Sequence, residues 1–369
     1  MPRHPTPSSR ASAASAQRST SLADVAALAG VSTGTVSRVL SRPELISPAT
    51  CARVMTAVER LGYVANGAAR ALAMRRTMTV GAIVPRFGGS SFPTMIQALE
   101  SELTANGYTL LLSAPEHQLS KESTILRALL ERGVDAVALL GEEQLAHVAP
   151  MLASSRTPYV MMWAPPGPAG HAAVGFDEQE AAALVVEHLS ELGHRRLGFV
   201  GGLTADNARA MRRFHGFTAE VAKRGMTICR TAMIETNYGF KQGYAAMERI
   251  IPTLNTSDGP TAVVCGNDYL AAGALSALDR AGFAVPDDLS IVSFNDNDFA
   301  PYLHPPLTTV RLPIREIGEK AGAYLIAKMR GLQLPDLAPL HVELVLRQST
   351  GMVVSKIDGP QTELRTPKR

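Results

Sequence analysis

The sequence predicts a small all-α head followed by an α/β core of two doubly wound parallel-sheet lobes. Three observations carry this. Between Leu22 and Leu40, apolar residues recur at helical spacing in two short stretches separated by Gly30. Beyond Met78, short apolar runs alternate with amphipathic stretches, the pattern of buried strands covered by helices on both faces. Residues 77–350 exceed what one ordinary core encloses, so two similar lobes are expected.

Taken in order, residues 1–20 are rich in Ser, Ala and Pro without apolar periodicity, and are expected to form a disordered tail. Leu22, Val25, Ala26 and Ala29 then make the stripe of a first helix, and Gly30 supplies its exit. Ser32 stands at the N-cap of a second helix held inward by Val31, Val36 and Val39. Its outward residues Thr33, Gly34, Ser37 and Arg38 lie at the end that enters a major groove when such a pair reads DNA. Ser47 and Pro48 open a third helix through Val54, Val58 and Leu61, with Gly62 at its end. Asn66 caps a short alanine-rich run that is too small to be stable alone, so its order must come from a partner. In the core, residues 80–84, 108–112, 136–140, 159–162, 197–200, 262–264 and 289–294 read as strands. Residues 92–106, 120–132 and 178–192 read as helices between them.

Charge separates the two parts. Up to Arg76 there are ten arginines and no lysine against Asp24, Glu44 and Glu59, a net of +7, whereas residues 77–350 carry 22 basic and 28 acidic residues, a net of −6. A basic head on an acidic body suits a phosphate backbone, which releases counterions as arginines approach. Arg3, Arg10 and Arg18 fall in the tail and are assigned to solvent. No segment is apolar enough for a signal peptide or membrane span, and Cys51, Cys229 and Cys265 have neither disulfide-framework nor zinc spacing. A cytoplasmic, nucleoid-associated protein without metal or cofactor is expected, with Cys51 serving as a small buried hydrophobe of the third helix.

From Leu22 to about Thr350 the chain resembles the lactose-repressor/galactose-repressor family of bacterial transcription regulators, on Leu22–Leu40, Ser47-Pro48 and the stretch Tyr63–Arg76. The resemblance implies a helix-turn-helix domain at 21–65, a hinge helix at 66–76 and a periplasmic-binding-protein type I core at 77–350, followed by a flexible tail at 351–369. In that pattern the first lobe takes about 77–176 and 312–340, and the second about 177–311 and 341–350. It implies a homodimer, with a tetramer as the alternative, on a palindromic double-stranded operator. Candidate DNA contacts are Thr33, Gly34, Thr35, Ser37, Arg38, Ser47, Asn66 and Leu72. Thr33 and Gly34 match the family's base-choosing positions and Arg38 its base-contacting arginine, while Leu72 matches a leucine that wedges into the minor groove. Gly34 departs from the pattern, since it has no side chain with which to bond a base edge.

A small-molecule effector is expected between the lobes, at the carboxyl ends of strands, in the segments Pro85–Phe92, Gly201–Arg213, Gly266–Asp268 and Asn295–Asp298. By the resemblance, Arg213 grips effector oxygens, Asn267 is a polar contact, Tyr238 an aromatic platform and Phe92 an apolar wall. Asp268 is an equal candidate to cap the helix that follows it, and core packing is the alternative for both aromatics. Asn295, in Ser293-Phe-Asn-Asp296, stands where many relatives have a carboxylate, and Arg86 where they often have aspartate. Loss of an anion and gain of a cation favour a sugar acid over a neutral sugar, with Arg86 pointing to solvent as the alternative. Ligand closure would then melt or form the hinge helices, and the same parts serve induction or corepression.

An enzyme is disfavoured. Gly198-Phe-Val-Gly-Gly202 lacks the full Gly-x-Gly-x-x-Gly spacing, no Gly-x-x-x-x-Gly-Lys is present, and His194 falls in a helix-to-strand turn. The reading is therefore a repressor of carbohydrate or sugar-acid catabolism genes. A regulator answering to a partner protein, or a DNA-tethered α/β enzyme, is the alternative.

Overall fold

A computed structural model describes residues 20–85, 91–115, 119–143, 145–165, 171–205 and 207–353. The two expected tails fall largely outside these residues, and so does Arg86. The chain divides between Thr77 and Met78 into two compact units.

In the first unit, α1 (Leu22–Ala29) starts in a capping box, the Ser21 hydroxyl accepting from the Asp24 amide while the Asp24 carboxylate accepts from the Ser21 amide. Gly30 ends it at φ 64°, a conformation that costs other residues a steric clash. Ser32 caps α2 (Thr33–Ser41) by accepting from the Thr35 amide at 3.1 Å. A third helix, α3 (Pro48–Leu61), ends at Gly62 with φ 56°. Ser47 precedes it, but its hydroxyl donates to Thr50 Oγ1 at 3.0 Å and makes no capping bond to the backbone among the described residues. The expected side-chain cap is thus replaced by Pro48, which removes one of the amides a cap would satisfy. Val25, Val36 and Val54 meet at the centre and are fully buried. Cys51 is half-buried against that cluster, its Sγ 3.6 Å from the Pro43 carbonyl oxygen, and so less enclosed than expected. Finally α4 (Gly67–Met74) is capped by Asn66, whose Oδ1 accepts from the amides of Ala68 and Ala69.

The second unit runs β1 (Thr79–Ile83), α5 (Phe92–Ala105), β2 (Thr109–Ser113), α6 (Leu119–Glu131), β3 (Ala136–Leu140), α7 (Leu145–Ser155), β4 (Tyr159–Met162) and β5 (Ala173–Val174). There follow α8 (Glu178–Glu191), β6 (Arg196–Gly202), α9 (Ala208–Lys223), β7 (Thr227–Thr236), α10 (Phe240–Ile250), β8 (Ala262–Cys265) and α11 (Asp268–Arg280). The last elements are β9 (Ser290–Asn295), β10 (Thr308–Arg311), α12 (Ile314–Arg330) and β11 (Glu343–Val345). Among the described residues the first sheet has the order β2-β1-β3-β4-β5, all parallel, and the second β11-β10-β9-β8-β6-β7. Only β11 runs antiparallel to its neighbour there. Each sheet carries one lobe.

Burial explains why the central strands stood out in the sequence: β3, β8 and β9 are buried along their whole length. In contrast β7, an edge strand, alternates buried and exposed residues and shows no continuous apolar run. Although it follows β10 of the second sheet in sequence, α12 packs on α5 of the first lobe, where a Cβ at Gly318 would collide with the Met95 carbonyl. The chain thus passes from the first lobe to the second, back through α12, and again to the second in β11. These crossings bring the carboxyl ends of β1, β4, β6, β8 and β9 around one space between the lobes.

Candidate DNA-reading face and interlobe cavity

The outer face of α2 carries Thr33, Gly34, Ser37 and Arg38, all exposed, above a stripe of buried Val36 and Val39. Thr35 is half-buried beside them, its Oγ1 2.9 Å from Ser32 Oγ at the cap. A Cβ at Gly34 would meet only Ser32 Oγ, at 3.7 Å, so the missing side chain there leaves open surface and no packing need explains it. Ser47 is exposed at the start of α3, and Asn66 is occupied as the cap of α4. Leu72 is 83% exposed, so core packing does not account for it in this chain.

Between the lobes lies a narrow cavity of about 40 Å³. Phe92 and Trp163 form its first-lobe wall, with ring centroids 5.5 Å apart at an interplanar angle of 83°. On the second lobe Tyr238 covers the backbone of Gly202, where a Cβ would collide with its ring, and burial pushes its phenol above the ordinary value. The glycines of Gly198-Phe-Val-Gly-Gly202 serve close packing, because a Cβ at Gly198 would meet Ala232 and one at Gly201 would meet Phe199. Five of the six residues expected at the cleft, Phe92, Arg213, Tyr238, Asn267 and Asn295, line this one cavity. The sixth, Arg86, lies outside the described residues.

The polar groups differ in detail from the expectation. Asn267 caps α11, accepting from the Leu270 amide at 2.9 Å, so the neighbouring Asp268 does not. Asp268 is instead fully buried and accepts from Thr309 Oγ1 at 2.7 Å, the Asn297 amide at 2.6 Å and the Ser293 hydroxyl. Burial raises its carboxyl above the usual range, opposed by these donors. This knot, with Asp296 paired to Arg311 and Arg347, holds the backbone in the left-handed region at Asn295 (φ 113°) and Asp296 (φ 55°). Asn295 consequently points its amide at the other lobe, where its Nδ2 donates to Ser91 Oγ at 3.0 Å. Its Oδ1 is buried and has no hydrogen-bond partner among the described residues.

Arg213 is less free than expected. Its Nε donates to Glu178 Oε2 at 2.8 Å, Nη1 donates to the Gly266 carbonyl, and the guanidinium lies 4.5 Å from the Phe294 ring centroid. Trp163 Nε1 donates to the other oxygen of Glu178, also at 2.8 Å. The charge of Arg213 is thus balanced within the wall, and only part of its fork remains for a ligand. Arg209, one turn earlier on α9, also lines the cavity and lies 3.3 Å from Glu143. Sequence reasoning missed Arg209, Trp163, Glu178 and Glu143. Arg209 had a local signal, the i, i+4 spacing to Arg213 that sets both on one helix face. The other three come from segments distant in sequence, Glu143 and Trp163 from loops and Glu178 from the first turn of α8.

A family model of bacterial regulatory proteins, lacI family, matches residues 21–66, and one of a periplasmic binding protein-like domain matches residues 186–350. The HTH-type transcriptional repressor PurR of Aliivibrio salmonicida (strain LFI1238) is 32% identical over 332 residues, which cover 88% of this chain and 97% of that one. This chain belongs to the lacI family. Among solved structures, the lac repressor dimer bound to operator and the anti-inducer ONPF is similar at 25% identity and a TM-score of 0.78, covering 90% of this chain and 99% of that one. The transcriptional regulator CelR–cellobiose complex is similar at 28% identity and a TM-score of 0.61, covering 89% and 99%. This lacI-family chain is accordingly a DNA-binding transcriptional regulator, with a helix-turn-helix head and a two-lobed core. His194, in this regulator, is a tie between elements: Nδ1 lies 2.9 Å from Thr261 Oγ1 and Nε2 3.1 Å from the Gly351 carbonyl oxygen. Among the described residues no helix is long and apolar enough to cross a membrane.

Proposed function

We propose that the chain is a homodimeric repressor whose head, residues 21–65 with the 66–76 hinge, reads a palindromic operator, and whose operator affinity is set by a small metabolite in the interlobe cavity. The observation that carries the effector reading is the convergence of Phe92, Trp163, Tyr238, Arg213 and Asn295 from five separate segments on one space. Operator and effector then bind in linked equilibria, so each changes the other's affinity by the same factor. A sugar or sugar acid is favoured as the effector. Asn295 Oδ1 awaits a hydroxyl or N–H donor, the fork of Arg213 suits vicinal oxygens, and a similar chain holds cellobiose. A flat heteroaromatic base is the second reading, favoured by the aromatic rings of Phe92, Trp163 and Tyr238.

Trp163 is the chain's only tryptophan, so its fluorescence reports on the cavity directly. Titration with a panel of aldonic acids, their parent sugars and purine and pyrimidine bases should change emission for one class, and the active compound should shift operator affinity in a gel assay. A panel that leaves both readouts unmoved counts against a metabolite of these classes and favours control by a partner protein. Asn295→Asp separates acids from sugars, because it adds charge with little change of shape. It should weaken a bound acid by tenfold or more while sparing the parent sugar.

A further inference from the structure

The loop after β3 carries Glu142 and Glu143 from the first lobe to the start of α9 in the second. Glu143 Oε1 accepts from the Ala208 amide at 2.9 Å and lies 3.3 Å from Arg209 Nη1, and both side chains are only 9% exposed. Beside it, Glu142 pairs with Arg212. A Cβ at Gly141 would collide with both the Glu143 carboxylate and the Arg209 guanidinium, so glycine there admits the pair. The Glu143 carboxylate therefore occupies the meeting point of a guanidinium and the first amide of a sixteen-residue helix. That is the environment in which carboxylates and inorganic oxyanions are held.

Two further observations mark this point as a ligand position. Arg209 is itself a wall residue of the cavity, and in the same wall the 92%-buried Asn295 has an Oδ1 with no hydrogen-bond partner among the described residues. The second concerns Glu122 on α6, 4% exposed, whose Oε2 also has no such partner. Burial first, and then the charge of Glu143, push its carboxyl up to about 7. Glu143 is thus held by its partners on the second lobe although it stands close to a second buried carboxyl.

We infer that Arg209 and the α9 N-terminus form an anion subsite of the effector cavity, and that Glu143 is its tethered occupant, displaced when the carboxylate of a ligand enters. The inference rests on the effector reading above and adds to it the ligand's charged group and the residue that receives it. Displacement frees the Glu143–Arg209 bridge between the lobes, so an acidic ligand exchanges one interlobe contact for another.

Sulfate serves as the probe, titrated into full-length protein at pH 7.5 with ionic strength held constant by chloride. Binding is read by calorimetry and by Trp163 fluorescence, since the Phe92 ring stands 5.8 Å from the Arg209 guanidinium and 5.5 Å from Trp163. Sulfate should bind Glu143→Gln at least tenfold more tightly than the parent, and the gain should vanish in Glu143→Gln/Arg209→Gln. Glu143→Ala should reproduce the gain, and it replaces the Gln variant if thermal melting shows that one misfolded. Equal sulfate affinity in parent and single variants, or tight binding that survives loss of Arg209, overturns the subsite. Aldonic acids on the same variants separate an organic carboxylate, which should gain in parallel, from a site that takes inorganic oxyanions alone. A neutral sugar that binds the parent while the sulfate arms fail rejects the subsite and leaves the effector cavity standing.

Discussion

Acidification should loosen the second lobe through His194. Its side chain is 2% exposed and bonded on both ring nitrogens, to Thr261 and to the Gly351 carbonyl, with Ser290 Oγ also 3.1 Å from Nε2. Burial, with smaller repulsion from His188 and Arg195 and opposed by the Gly351 carbonyl, lowers its pKa from 6.5 to about 4. The folded state therefore prefers the neutral ring, and the stability this confers is complete above pH 6.5 and lost as pH falls toward 4. A separation from 6.5 to about 4 corresponds to about 3 kcal/mol at full protonation, and to about 2 kcal/mol at pH 5. Urea unfolding followed by circular dichroism, on the parent and on His194→Gln at pH 7.5 and 5.0, isolates this group from other titrations. The parent's advantage over the variant should shrink by about 2 kcal/mol between the two conditions. An advantage of equal size at both pH values refutes the argument that a buried neutral imidazole joins α8, β8 and the segment after β11.

Three further outcomes are expected. Arg38→Ala should cost about 1–3 kcal/mol of operator affinity and relax base preference near its contact, measured by gel shift across a salt series. Leu72→Ala, at an exposed position, should leave thermal stability within about 0.5 kcal/mol of the parent while reducing operator bending by circular-permutation assay. Glu178→Gln strands the Arg213 charge and one of two donors on a buried carboxylate, and should destabilise the core by about 3–5 kcal/mol in equilibrium unfolding.

The head was legible because its signals are local. Gly30, Ser32, Pro48 and Gly62 each act within one helical turn, and the structure uses all of them; Ser47 alone turns to a side-chain neighbour instead of the backbone, and the capping box at Ser21 was not read. The central strands were legible for the same reason, since burial on both faces demands uninterrupted apolar runs. β7 was not, because at an edge its Thr227-Ile-Cys-Arg-Thr pattern satisfies one face only.

The cleft shows where local reading ends. Its individual side chains could be placed from their motifs, but its charge could not, because charge is decided by pairing. Arg213 draws its counter-ion from Glu178, 35 residues earlier, and Arg209 draws Glu143 from the other lobe, 66 residues earlier. Loss of a carboxylate at Asn295 suggested a cationic cleft, yet both wall arginines are balanced by carboxylates of the chain itself. Preference for an acid then depends on whether a carboxylate from the chain can be exchanged for one from the ligand. The Arg213 pair, 2–5% exposed and sharing its carboxylate with Trp163, is poorly suited to that exchange. Glu143 is better suited, because its loop lies on one lobe and its partners on the other, so any motion that opens the cavity separates them.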